Sequence, residues 1–322
     1  DGFENRVANV VRLDVIPDAL PTIALTEPRR PMEVIPEAVI PIELQASDDL
    51  GLSEILLQAE NFDAKPGDAP RYQHPLTWSN LAVDPATLNV TGTAQTTWNL
   101  AELQLKPGDR LSYFGLIRDN YHVAAAEFGT SSPKDPFELS PTDKQVRHRY
   151  VKSAPLSLMI STKDRIEELN RKDLQDLRDQ LRSLINQQSL TNQQTRAIQK
   201  AVAESGRITT QQQQQLAELA SQQAAQAQRA LGLQTRAEQI QQNLAINQMA
   251  ESDLGKLTRA TATDMRDVSQ NNMPKAASEL SKAQDAAANP DETKAAQQSS
   301  QAADRAGQQQ ELALSTLNKA LD

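Results

Sequence analysis

With 322 residues, a net charge of −9, 3% aromatics and no cysteine, the chain is long, acidic and poor in rings. Phosphate backbones are held by clustered Lys and Arg, so this balance argues against a nucleic-acid partner. Disulfides and thiolate chemistry are excluded, and no apolar run approaches the ~20 residues that a bilayer span requires.

The sequence begins at Asp1 with no basic and apolar leader, which gives the expectation of a processed product or a piece of a longer protein. Val7 to Ile16 is β-branched and partly alternating, a strand signal. Pro17, Pro21, Pro28, Pro31, Pro36 and Pro41 then follow so closely that no helix survives among them. Thr22 to Leu25 and Met32 to Ile35 are left as short edge strands or extended linker. Residues 1–39 read as the closing strand of an upstream domain and a proline-stiffened junction. Any membrane attachment is expected through a segment outside this chain.

Residues 40–161 read as a second domain. Ile42, Leu44 and Ala46 alternate before the turn Ser47-Asp48-Asp49-Leu50-Gly51, and Ile55, Leu57 and Ala59 alternate after it. Gly51 supplies a positive φ there, and the aspartates can bond nearby amides. Pro66-Gly67-Asp68 marks a loop, Tyr72 to Trp78 an edge strand interrupted by Pro75, and Leu88 to Leu100 a strand that directs Trp98 inward. The turn Lys106-Pro107-Gly108-Asp109 leads into the core strand Leu111 to Ile117, which Asp119-Asn120 ends. Val123 to Phe128 starts another hairpin arm, and Ala154 to Ile160 is the last strand. Gly129 to Arg149, with Pro133, Pro136 and Pro141, is a surface excursion of no assignable structure. About seven short strands with a core Trp and an aromatic strand predict an immunoglobulin- or fibronectin-like β-sandwich.

The composition changes over residues 162–322. All eleven aromatics lie between Phe3 and Tyr150, and of the 17 prolines only Pro274 and Pro290 fall here. Gln, Ala, Leu and mixed charge replace them, and these are good helix formers. After the N-cap signal Thr162, the residues Leu174, Leu177, Leu181 and Leu184 follow the stepping of a coiled-coil seam, and the helix is expected to stop at Ser205-Gly206. A second helix from Thr209 or Thr210 to about Met249 carries Leu216, Leu231, Ile240 and Leu244 and returns antiparallel along the first. Ser252 or Asp253 caps a third, Asn271-Asn272-Met273-Pro274 breaks or kinks it, and Asn289-Pro290-Asp291-Glu292 restarts the last. Leu174, Leu177, Leu181, Leu184, Leu216, Leu231, Ile240 and Leu244 are the predicted interface residues. A seam of Leu mixed with Ala and Gln buries little area per turn, which predicts a homo-oligomer or docking on neighbouring proteins. The fold class is α+β by segregation: an N-terminal all-β Ig-like sandwich, then a long α-helical coiled-coil hairpin or bundle.

ASDDLGL (Ala46 to Leu52) and LKPGDRLSYFGLIRDN (Leu105 to Asn120) resemble bacterial Ig-like modules. There a turn of the S-D-D-x-G-L kind joins two strands, and a PGD turn leads into an aromatic core strand ending in Asp-Asn. Such a module followed by a Gln-rich helical tail resembles uncharacterised, membrane-anchored envelope proteins of the domain-of-unknown-function 4175 family. The motifs cover residues 40–120, and the composition agrees beyond them. The resemblance implies a periplasmic or other extracytoplasmic envelope location. The N-terminal membrane helices that it also implies are not in this sequence, in keeping with a piece of a longer protein.

Asp48, Asp49, Asp119 and Asn120 are the metal candidates, because clustered oxygen ligands at one end of a sandwich can hold Ca²⁺. No spaced D-x-D-x-D loop accompanies them, so the expected role is that of turn residues bonding their own backbone, and no metal or cofactor is predicted. His74, His122 and His148 have no ligand spacing, and G-x-S-x-G, a cysteine nucleophile and a Gly-rich phosphate loop are all missing. Glu167-Glu168 reads as a solvated helix face, Arg147-His148-Arg149 as a charged loop, and Gln211 to Gln215 as helix surface. The predicted function is a non-enzymatic structural or scaffold protein of a bacterial envelope, self-assembling or docking through its long helices. The alternative is a ligand- or glycan-binding module on a helical spacer, which an exposed Trp78 or Tyr72 would favour.

Overall fold

The computed structural model describes residues 18–65, 67–124, 136–140, 142 and 145–321. The strand expected over Val7 to Ile16 lies outside them, as do most of the arm from Val123 to Phe128 and much of the excursion after it. The chain divides into two compact units, with the boundary between Ile160 and Ser161. Sheets fill the first and long helices the second, so the α+β segregation holds.

The strands of the first unit are β1 (Thr22–Glu27), β2 (Met32–Val34), β3 (Val39–Asp48), β4 (Leu52–Asn61), β5 (Tyr72–Pro75), β6 (Trp78–Val83), β7 (Val90–Asn99), β8 (Arg110–Asp119), β9 (His122–Ala124), β10 (Phe137–Leu139), β11 (Gln145–His148), β12 (Val151–Lys152) and β13 (Leu156–Ile160). One sheet has the order β1-β3-β7-β6, the second β2-β13-β8-β4-β5 with β12 also paired to β8, and a small third β10-β11-β9. The β13–β2 pairing is parallel, whereas β3 with β7 and β4 with β8 are long antiparallel ladders. Period-two alternation decides which side chains go inward. In β3 these are Ile40, Ile42, Leu44 and Ala46, and in β4 Ile55, Leu57 and Ala59. Inward residues of the two larger sheets meet: the Trp98 and Tyr113 ring centroids are 5.5 Å apart. Leu44 lies so close over Gly115 that a Cβ there would sit 2.7 Å from Leu44 Cδ2, so β8 needs a glycine at that crossing.

Of the two readings left open for them, Thr22–Glu27 and Met32–Val34 take that of edge strands, one in each of the two larger sheets. Two sequence expectations change. Tyr72 to Trp78 is not one strand but the start of two, β5 and β6, which join different sheets. Within the excursion, Phe137–Leu139 and Gln145–His148 pair as strands.

The second unit has α1 (Lys163–Ser205), α2 (Thr210–Ile246), α3 (Asp253–Asp267), α4 (Met273–Ala287) and α5 (Glu292–Leu321). The 43 residues of α1 make a rod of about 65 Å at ~1.5 Å per residue. The caps are those expected. Thr162 Oγ1 accepts from the Arg165 amide, Thr209 forms a reciprocal capping box with Gln212, and Ser252 Oγ accepts from the Gly255 amide. Pro274 has no N–H to donate, yet the helix does not stop: a π turn over Val268–Asn272 carries α3 into α4. α1 packs on α2 and α5, α2 on α3 and α4, and α4 on α5. The first two helices are therefore covered by later helices of the same chain. Among the described residues no helix is long and apolar enough to cross a membrane.

Candidate functional site

The turn between β3 and β4 folds as its sequence dictates. Asp48 Oδ2 accepts from the amides of Leu50 (3.1 Å) and Gly51 (2.7 Å). Gly51 has φ +148°, and a Cβ there would meet Asn120 Nδ2 at 2.5 Å, so both backbone and packing call for glycine. Asn120 Nδ2 donates to the Leu50 carbonyl (3.4 Å), which ties this candidate to the turn itself.

Asp119 ends β8 opposite Leu52, and this register brings it beside the turn. It is 2% exposed, as is His148. Asp119 Oδ1 accepts from the Tyr121 amide (3.0 Å), and Oδ2 is 2.5 Å from His148 Nδ1. The imidazole stacks with Tyr121 and Phe137 at centroid distances of 4.5 and 4.8 Å.

Asp18, just before β1, completes the group. One carboxylate oxygen from each of Asp18, Asp48 and Asp49 lies within 4.8 Å of the other two, and Asp18 stands in the same relation to Asp119 and His148. Oδ1 of Asp18, of Asp48 and of Asp49 is buried, with no hydrogen-bond partner among the described residues. Burial, then the charge of Asp119, pushes the Asp18 carboxyl above the usual carboxylate range; His148 opposes this, and Asp48 and Asp49 add to it.

Sequence reasoning named Asp48, Asp49 and Asp119 and missed Asp18 and His148. Asp18 follows Pro17 in a stretch without periodicity and carried no signal. His148 did carry one, because Val146 and His148 alternate with Gln145 and Arg147, and in a strand both turn inward. Arg147-His148-Arg149 is accordingly not a charged loop: its histidine ends β11 and is buried. His122 bonds the Asn120 carbonyl (2.8 Å), and His74 stacks on Tyr72.

Of the predicted interface residues, Leu174, Leu177, Leu181, Leu184, Leu216, Ile240 and Leu244 are buried among the helices of their own unit. Leu231 is 43% exposed, because Ala230 and Leu233 take the inward positions of that turn. Glutamines share the interior. Gln188 and Gln223 exchange two amide hydrogen bonds (3.1 and 2.9 Å), Gln310 of α5 donates to Gln223 (2.9 Å), and Gln226 donates to Thr191 (2.9 Å). Asn243 of α2 donates to Asn170 of α1 (3.2 Å) and Arg236 to Asp176 (3.4 Å), so from these pairs to Gln188 and Gln223 the partners step in opposite directions along the chain, the mark of an antiparallel pair. Arg196 of α1 reaches Asp304 (2.7 Å) and Glu311 (2.9 Å) of α5. Trp78 and Tyr72 are half-buried, Trp78 lying against Gly92 and Tyr72 against Trp98.

Neither a protein-family model nor a curated protein matches the chain.

Proposed function

We propose that the chain is a non-enzymatic structural protein of a bacterial cell envelope, placed outside the cytoplasm. In this reading the β unit is an Ig-like or fibronectin-like sandwich and the helical unit a coiled-coil bundle, as in the envelope proteins of the domain-of-unknown-function 4175 family that its motifs resemble. It acts by contact, through copies of itself or neighbouring envelope proteins, with membrane attachment left to another segment. The observation that supports this most is the paired glutamine layer of Gln188, Gln223 and Gln310 inside long helices. A polar layer gives up apolar burial for a fixed register, which suits a rod that must present the same faces along its length.

Sedimentation equilibrium of the chain over the micromolar range tests the reading, together with cross-linking in cells. The expected result is a mass that rises with concentration, or cross-links to envelope proteins. A compact monomer at every concentration with no such cross-link overturns it.

A further inference from the structure

We propose that Asp18, Asp48 and Asp49 form a divalent-cation site at the β3–β4 end of the β unit, for a hard, oxygen-seeking ion of the Ca²⁺ class, with Asp119 and His148 as its supporting pair. The proposal is independent of the scaffold reading. Acidic side chains often gather on a surface without any ion, but Asp48 is 5% exposed. Its Oδ2 is held by two turn amides, while its Oδ1 is buried without a donor among the described residues. Asp18 and Asp49 each bury an oxygen in the same condition. Buried anionic oxygens lacking donors are costly, and a cation supplies what the missing N–H groups do not.

The spacing agrees with one coordination sphere. Oxygens around Ca²⁺ lie roughly 2.3–2.6 Å from the ion, hence at most about 5 Å from one another. Those of Asp18, Asp48 and Asp49 all lie within 4.8 Å of one another, inside this limit. Three carboxylates and no thiolate are a hard donor set. His148 Nδ1 lies 2.5 Å from Asp119 Oδ2, so an imidazole ligand could come only from Nε2, and Asp18, Asp48 and Asp49 form a group without it. That pair has the form of an outer-shell contact that fixes a carboxylate beside an ion.

The test uses the chain after chelator treatment, titrated with CaCl₂ by calorimetry and melted with Trp fluorescence as the readout, since both tryptophans lie in the β unit. Saturable one-site binding is expected, with a melting temperature that climbs with Ca²⁺ concentration. Asp18→Asn and Asp49→Asn keep the side-chain size and remove a charge; each is expected to weaken Ca²⁺ binding at least roughly tenfold, as affinity follows ligand charge. Both should raise the melting temperature of the chelated protein, because like-charge repulsion is relieved, and that readout also shows that the variants fold. No heat and no melting shift at millimolar CaCl₂ overturns the proposal. So does Ca²⁺ binding that both variants leave unchanged. Binding of Zn²⁺ or Mn²⁺ in place of Ca²⁺, lost in His148→Gln, overturns the assignment to a hard cation.

Discussion

The largest fully buried side chains of the β unit include the rings of Trp98 and Tyr113 with Ile40, Ile42, Leu44 and Leu57, whereas the helical unit, which has no aromatic ring, sets Ala276, Ala283, Ala303 and Ala306 and the amides of Gln188, Gln223 and Gln310 among its buried leucines. Geometry explains the contrast. Facing sheets stand about 10 Å apart and need bulky groups to fill the gap, while helices with small residues can close on one another. A helix also satisfies its own backbone, so a glutamine in the seam needs only another glutamine. The first unit is thus held mainly by apolar area, and the second adds polar pairing that fixes which turn meets which.

The largest effect that sharpens this contrast comes from Leu57→Ala. Emptying a site that is 0% exposed is expected to cost the β unit about 2–5 kcal/mol, measured as a shift in the urea midpoint of Trp fluorescence. A loss below about 1 kcal/mol would mean the sheets close over the gap. In the helical unit, Gln223→Ala strands the amides of Gln188 and Gln310 and is expected to cost about 1–3 kcal/mol by helical circular dichroism. Replacing Gln188, Gln223 and Gln310 together by Leu should restore or exceed the original stability. If the triple variant is the less stable of the two, the layer contributes more than register.

The smallest effect has a definite sign. The Asp18 carboxyl is raised in the fold by burial and by Asp119, so the folded chain keeps this proton to higher pH than the unfolded chain does. The stability it contributes is complete below the ordinary carboxylate range and is lost as pH rises through the raised folded value. In chelated protein, the stability gained by Asp18→Asn over the natural chain should therefore grow from acid to neutral pH. Melting curves at a series of pH values check this, and parallel profiles would contradict it.

The helical half was legible because its signals are local. Thr162, Thr209 and Ser252 start helices at the caps the sequence marks, and Gly206 ends one. Leu231 shows the limit: helical spacing allows it on a seam, but which face turns inward depends on α3, α4 and α5, which lie far away in sequence. In the β half the alternation of β3 and β4 and the apolar run of β8 were readable, while β6 was missed, since its residues after Trp78 are exposed and carry no alternating burial. The acidic cluster was half legible for a related reason. Asp48 and Asp49 sit in one turn, but Asp119 and His148 come together only through strand register, and Asp18 arrives from a segment with no pattern at all.

The wide turn over Val268–Asn272 bears on how this chain tolerates changes in length. Such a turn holds one residue more than its α-helical neighbours, so losing a residue there leaves ordinary helix and keeps Leu280 and Ala283 facing inward. The same loss elsewhere in α3 or α4 would swing every later side chain by about 100°. The chain thus carries an expansion joint just ahead of Pro274.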